Sequence, residues 1–176
     1  MGRNRYKIYS EETPYFVTTS IVNWVPLLSN EQYCKIILDA ILFLQDRRGI
    51  SLFAYVIMRD HIHCIASGQD LGEKLRLFKS YTARQILDVL KAQKDRNVLK
   101  IFNTENDNGR NEYQLWQEGF YPKQLLGDDM MLQKIDYIHN NPVRAGYVDR
   151  PEDWPYSSIH NYTGGKCLIP VCRYSR

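Results

Sequence analysis

The stretch SLFAYVIMRDHIHCIAS, residues 51–67, decides the reading of this chain. Residues 51–58 are an almost wholly apolar run of strand length, Arg59-Asp60 is a short polar break, and residues 61–67 return to apolar and β-branched types. That pattern predicts an antiparallel hairpin. On a strand, side chains at i and i+2 share a face. His61 and His63 therefore project side by side, their Cα atoms about 6–7 Å apart, while Ile62 and Cys64 turn to the other face as core. Two imidazoles at that spacing can share one divalent cation. Two ordinary histidines on an edge strand would be written with the same letters.

Upstream, YFVTTSIV at residues 15–22 is aromatic and β-branched and predicts a strand. Residues 30–48 predict a helix: Ser29 or Asn30 can cap it, Cys34, Ile37, Leu38, Ile41 and Leu44 recur at helical spacing, and Gly49 ends it. Downstream, residues 72–94 predict a long helix with Leu75, Phe78, Ile86 and Leu90 on its inner face. Residues 98–111 open as a strand and close in Asn/Asp/Gly turn residues. Residues 112–126 predict a further strand bent near Gly119. Asp128 or Asp129 caps a short helix from Met130 to Asn141 that Pro142 stops. The tail, about residues 143–176, is loop-rich with Tyr147, Trp154, Tyr156 and Tyr162 as anchors. The order β-α-β-β-α-β-α predicts an α+β fold, a ferredoxin-like (RRM-like) antiparallel sheet with helices on one face. There is no internal repeat or domain boundary, so residues 1–176 read as a single domain.

Composition agrees. The 176 residues are 44% hydrophobic and 24% charged, which excludes a disordered or collagen-like chain. The longest apolar run, Ile36 to Leu44, is broken by Asp39 and falls well short of the roughly 20 residues of a membrane span. The opening MGRNRYKIYSEETPYF lacks the apolar stretch of a signal peptide, so a cytoplasmic protein is expected. Cys34, Cys64, Cys167 and Cys172 are sparse and read as free thiols. Cys167 and Cys172 could form half of a zinc clip, with His160 the sole further ligand nearby. The net charge of +3 is unevenly spread: eight basic and two acidic residues lie between Lys74 and Lys100, and Arg3, Arg5 and Lys7 open the chain. Such a stripe attracts phosphates, or is simply a solvated helix face.

The short helix near the C-terminus bears on the histidine pair. Its apolar stripe is Met131, Ile135 and Ile138; Tyr137 and Asn141 lie off that stripe, four apart and hence neighbours on one helical face. If that face overhangs the strand of His61 and His63, a two-histidine metal centre gains an oxygen ligand from Asn141 and a nucleophilic oxygen from Tyr137. The plain alternative is a surface tyrosine and a helix-end asparagine. His139 falls on the buried side of the helix and reads as structural.

The runs MRDHIHCIA (58–66), KLRLFKSYTARQI (74–86), LWQEGFYPKQL (115–125), IDYIHNNPVRAGYV (135–148) and WPYSS (154–158) together resemble the single-tyrosine HUH transposases, and among them the REP-associated tyrosine transposases. The resemblance implies a ferredoxin-like fold, single-stranded DNA hairpins as substrates, and a divalent metal ion, Mg²⁺ or Mn²⁺. It matches His61 and His63 to the metal-binding pair, Tyr137 to the nucleophile that forms a covalent 5′-phosphotyrosine, and Asn141 to the third metal ligand. It leaves monomer and homodimer both open. Candidate DNA contacts are Arg3, Arg5, Arg76, Lys79, Tyr81, Arg84 and Arg144. Trp116 and Phe120 could stack on bases or pack in the core. Two other readings of the residues stand beside this one: a non-catalytic nucleic-acid-binding module on the same scaffold, and a zinc hydrolase using His61, His63 and a cysteine.

Overall fold

The structure, a computed structural model, describes residues 13–105 and 111–175. The expected Arg3 and Arg5 contacts lie outside the described residues. Strand β1 (Tyr15–Ser20) leads into two single 3-10 turns, Val22–Trp24 and Leu27–Ser29, and then helix α1 (Glu31–Arg48). The side chain of Asn30 caps α1 by accepting from the Gln32 N–H, and Gly49 ends it in the left-handed conformation at φ 63°. The hairpin follows as β2 (Ser51–Ile57) and β3 (His61–Ser67), closed by the Met58 N–H donating to the His61 carbonyl at 2.8 Å. Helix α2 (Leu71–Ala92) completes the first half.

The second half departs from the sequence expectation in detail. Residues 98–102, expected as strand, belong to helix α3 (Arg96–Phe102), whose start is fixed by the Asp95 side chain accepting from the Val98 N–H. The predicted strand over 112–126 is divided. β4 (Asn103–Glu105) and β5 (Asn111–Tyr113) make a separate two-stranded ribbon, Trp116 forms an isolated bridge to Ile21, and only β6 (Lys123–Gln124) joins the main sheet. Helix α4 (Asp128–Arg144) does not stop at Pro142 but runs through it. The proline sits in the last turn, where one missing donor costs a single helical bond. The Tyr147 N–H then donates to the Pro142 carbonyl, and Gly146, at φ 71°, turns the chain away. Helix α5 (Ile159–Thr163) lies in the tail.

The main sheet has the order β2-β3-β1-β6, every neighbouring pair antiparallel. This is the α+β, ferredoxin-like arrangement expected. Alternation along the strands separates two cores. Tyr15, Val17, Leu52, Tyr55, Ile62 and Ala66 face α1 and α2, where Ile37, Phe78 and Ile86 meet them. Phe16, Ala54, Val56 and Ile65 face the other way, against Met131, Ile135 and Ile138 of α4. The expectation of helices on one face holds for α1 and α2 but not for α4, whose apolar stripe covers the second face. Burying these α4 side chains contributes about 2 kcal/mol each, which pins the helix on the face to which His61 and His63 point. The tail seals the outer edge of β2: Ile57 N–H donates to the Tyr156 carbonyl and Ser158 N–H to the Tyr55 carbonyl. Trp154 Nε1 donates to the Ile57 carbonyl, in keeping with its reading as a packing anchor.

Candidate active site

Strand register builds the first half of the site. His63 is paired across the sheet with Thr18 of β1 and Val56 of β2, and His61 with Ser20. Directly opposite residues share a face, so Thr18 stands beside the His63 ring, with Oγ1 2.8 Å from Nδ1. His61 Nδ1 lies 2.6 Å from Asp60 Oδ1 in the hairpin turn. Both rings are thus oriented through Nδ1, so Nε2 is the nitrogen each could offer to a metal ion. The two ring centroids are 4.7 Å apart. Ile62 and Cys64 turn to the α1/α2 core.

Helix α4 supplies the second half. The Tyr137 ring centroid lies 5.5 Å from that of His63 and 5.8 Å from Phe16, which itself stacks on His63 at 5.2 Å. The conditional part of the sequence reading is therefore met for the tyrosine: α4 overhangs β3 and joins the phenol to the histidine pair. Asn141 follows one turn later on α4, half-buried, inside the helix rather than at its end.

The site is cationic. Lys134 Nζ lies 4.7 Å from the Phe16 ring centre and 4.8 Å from that of Tyr137, and Arg144 Cζ lies 5.3 Å from the Tyr137 ring centre. Desolvation, with Lys123 and Arg144 nearby, lowers the Lys134 pKa from its ordinary value. His63 is buried, and burial, then the neighbouring His61 and Lys134, push its pKa down to about 3. It is therefore neutral at physiological pH, the form in which imidazole binds metal.

The remaining expected residues separate clearly. Arg144 is at the site. Arg76, Lys79, Tyr81 and Arg84 all lie on α2, across the sheet from the histidines. Arg76, Tyr81 and Arg84 are exposed there. Lys79 is committed elsewhere: its Nζ donates to the Gln117 carbonyl at 2.6 Å and to the Gly119 carbonyl, pinning that loop to the helix. Trp116 is core, with Nε1 donating to Thr82 Oγ1, and Phe120 packs on the same core. His139 is structural as read, its Nε2 2.9 Å from Ser158 Oγ. Cys167 and Cys172 are free and exposed. Among the described residues no three His, Cys, Asp or Glu side chains converge to hold a metal, so neither the zinc clip nor the zinc hydrolase finds its ligands. No helix among the described residues is long and apolar enough to cross a membrane.

Thr18, Asp60 and Lys134 escaped the sequence reading. Asp60 is the neighbour of His61 and Lys134 lies three residues before Tyr137, so adjacency and helical spacing carried a signal for both. Thr18 becomes visible only once the β1–β3 register is known.

No protein-family model matches the chain. Individual relatives do. A REP-associated tyrosine transposase of Haemophilus influenzae is 33% identical over 110 residues, covering 61% of this chain. That match spans 57% of the relative's own length. A REP-associated tyrosine transposase of Escherichia coli is 26% identical over 157 residues, covering 88% of this chain and 81% of the relative. In three dimensions the chain is similar to a solved REP-associated tyrosine transposase bound to a REP hairpin, with a TM-score of 0.67 at 23% identity over 97% of this chain and 90% of that one, a likeness of fold. The His-x-His strand and the overhanging tyrosine helix stand beside these likenesses: in sequence the chain is similar to REP-associated tyrosine transposases, and in fold to one of known structure.

Proposed function

We propose that the protein is a transposase-type DNA transesterase that cleaves and rejoins single-stranded DNA at hairpins of palindromic repeats, through a covalent 5′-phosphotyrosine on Tyr137. The observation that carries this reading is the Tyr137 ring packed 5.5 Å from a buried, neutral His63 whose Nδ1 is held by Thr18. A module that only binds nucleic acid has no use for a histidine pair oriented in this way beneath a phenol.

The donor set fits a divalent metal: two imidazoles fixed through Nδ1 by outer partners, the usual support of ligating histidines. His61 and His63 would hold Mg²⁺ or Mn²⁺, with Asn141 as a third, oxygen ligand. Such an ion supplies Lewis acidity toward the non-bridging phosphate oxygens when bound.

The chain's own residues account for the rest. The Tyr137 hydroxyl gives up its proton to solvent as its oxygen attacks phosphorus in line, the bond to the 3′-oxygen breaks, and that oxygen takes up a proton from solvent and leaves as a 3′-hydroxyl. Lys134 and Arg144, already beside the Tyr137 ring, attract the scissile phosphate and offset charge growing on it. A 3′-hydroxyl of a second strand then attacks the phosphotyrosine, restoring a phosphodiester and freeing Tyr137. One phosphoester replaces another at each step, so no nucleotide cofactor is consumed.

The test uses a labelled oligonucleotide carrying a palindromic hairpin with single-stranded ends, incubated with Mg²⁺ or Mn²⁺ and run on a denaturing gel. Wild type should give a covalent adduct that a chelator prevents. Tyr137→Phe should bind the DNA without forming adduct; adduct of equal yield in that variant refutes the assignment.

A further inference from the structure

We infer that Trp24 is a stacking platform for an unpaired nucleobase at the mouth of the active site, holding the nucleotide that departs with the free 3′-hydroxyl.

The three tryptophans are placed very differently. Trp116 is 4% exposed and hydrogen-bonded in the core, and Trp154 is half-buried against Tyr147. Trp24 is 57% exposed. An indole left in water forgoes the burial that usually governs its position. Its backbone is also unusual: Asn23 and Trp24 are consecutive non-glycine residues in the left-handed region, at φ 57° and 55°. A bulky residue there is a real outlier. Firm neighbours hold it in place. The Trp24 N–H donates to the Ile21 carbonyl, the Val22 N–H to the Leu115 carbonyl and the Leu28 N–H to the Arg59 carbonyl. Strain maintained by its surroundings is typical of functional positions.

Position gives the platform its ligand. The Trp24 ring centroid lies 6.1 Å from His61, His61 lies 4.7 Å from His63, and His63 lies 5.5 Å from Tyr137. The rings form a chain of contacts with the nucleophile at one end and the exposed indole at the other. In an in-line displacement the leaving oxygen departs opposite the nucleophile. The base beside Trp24 therefore belongs to the nucleotide on the 5′ side of the scissile phosphate. Stacking on an exposed indole accepts any base, the general device for single strands.

The inference rests on the transesterase reading, and the experiment separates the two. The hairpin oligonucleotide described above is titrated into Tyr137→Phe protein, following tryptophan fluorescence and, in parallel, the anisotropy of a label on the DNA. Binding should quench the fluorescence, and the quench should disappear in the Tyr137→Phe, Trp24→Phe double variant, where Trp116 and Trp154 remain. Trp24→Ala should bind about 5- to 150-fold more weakly, with an unchanged circular dichroism melt. An abasic site 5′ to the cleavage position mapped with wild type should remove the quench; one on the 3′ side should not. Adduct formation by wild type with no quench, or a quench that persists in the double variant, overturns the stacking role alone. Neither adduct nor binding overturns the functional reading, and this inference with it.

Discussion

Replacing His139 by glutamine should flatten the acid side of the protein's stability curve. His139 lies on the buried side of α4, two residues from the proposed nucleophile, with Nε2 2.9 Å from Ser158 Oγ and its ring 5.1 Å from Tyr162. Burial dominates its titration, and the opposing pull of Asp136 and Glu152 is weaker, so its pKa falls from 6.5 to about 4. The unfolded chain takes up this proton near the ordinary value, while the folded chain resists until about pH 4. Between those values the unfolded state binds more protons, so stability is full above the upper value and declines as pH falls toward the lower. At about 1.4 kcal/mol per pH unit, the native state loses roughly 3 kcal/mol across this window. For a chain of this size that lowers the melting temperature by roughly 6–12 °C. Glutamine can keep a polar contact to Ser158 and cannot titrate. Urea unfolding at about pH 7.5 and about pH 4.5 measures the effect. His63 acts in the same direction in both proteins, so the difference between wild type and His139→Gln isolates His139. A variant that loses as much stability on acidification as wild type would refute the reasoning.

Other substitutions probe the site from different sides. Thr18→Val removes the hydrogen bond that orients His63; Mn²⁺ affinity, followed by isothermal titration calorimetry, should fall about 10- to 100-fold, and an unchanged affinity would show that the register contact does not serve the ligand. Lys134→Met should slow adduct formation by about tenfold, equivalent to about 1.4 kcal/mol, and reduce the salt dependence of DNA binding by about one phosphate contact; Lys134→Arg should recover most of the rate, and equal rates in all three proteins would remove the lysine from the chemistry. Lys79→Met should lower the melting temperature through loss of its ties to the Gln117 and Gly119 carbonyls while leaving DNA affinity within about twofold; a selective loss of affinity would restore it as a DNA contact.

Local rules were legible where one element decided its own form. Asn30 and Gly49 bound α1 as read, and the period of two along HIHC puts both histidines on one face. Spacing of four marked Tyr137 and Asn141. Reading failed where tertiary context overrode local preference. VLKIF has the apolar, β-branched look of a strand, yet the Asp95 cap and the burial of Phe102 make it helical. Pro142 ends a helix in isolation, but in the last turn of a well-packed one it is tolerated. The left-handed backbone at Trp24 leaves no mark in the sequence, because it is imposed by carbonyls 3 to 91 residues away. Lys79 had the look of a phosphate contact until the loop at Gln117–Gly119 claimed it.

The most direct test of the central claim is mass spectrometry of the protein–DNA adduct after proteolysis and nuclease trimming. With 13 tyrosines in the chain, the account predicts a single 5′-phosphonucleotide on the peptide carrying Tyr137. The same modification on another residue, or strand cleavage with no modified peptide at all, would contradict it.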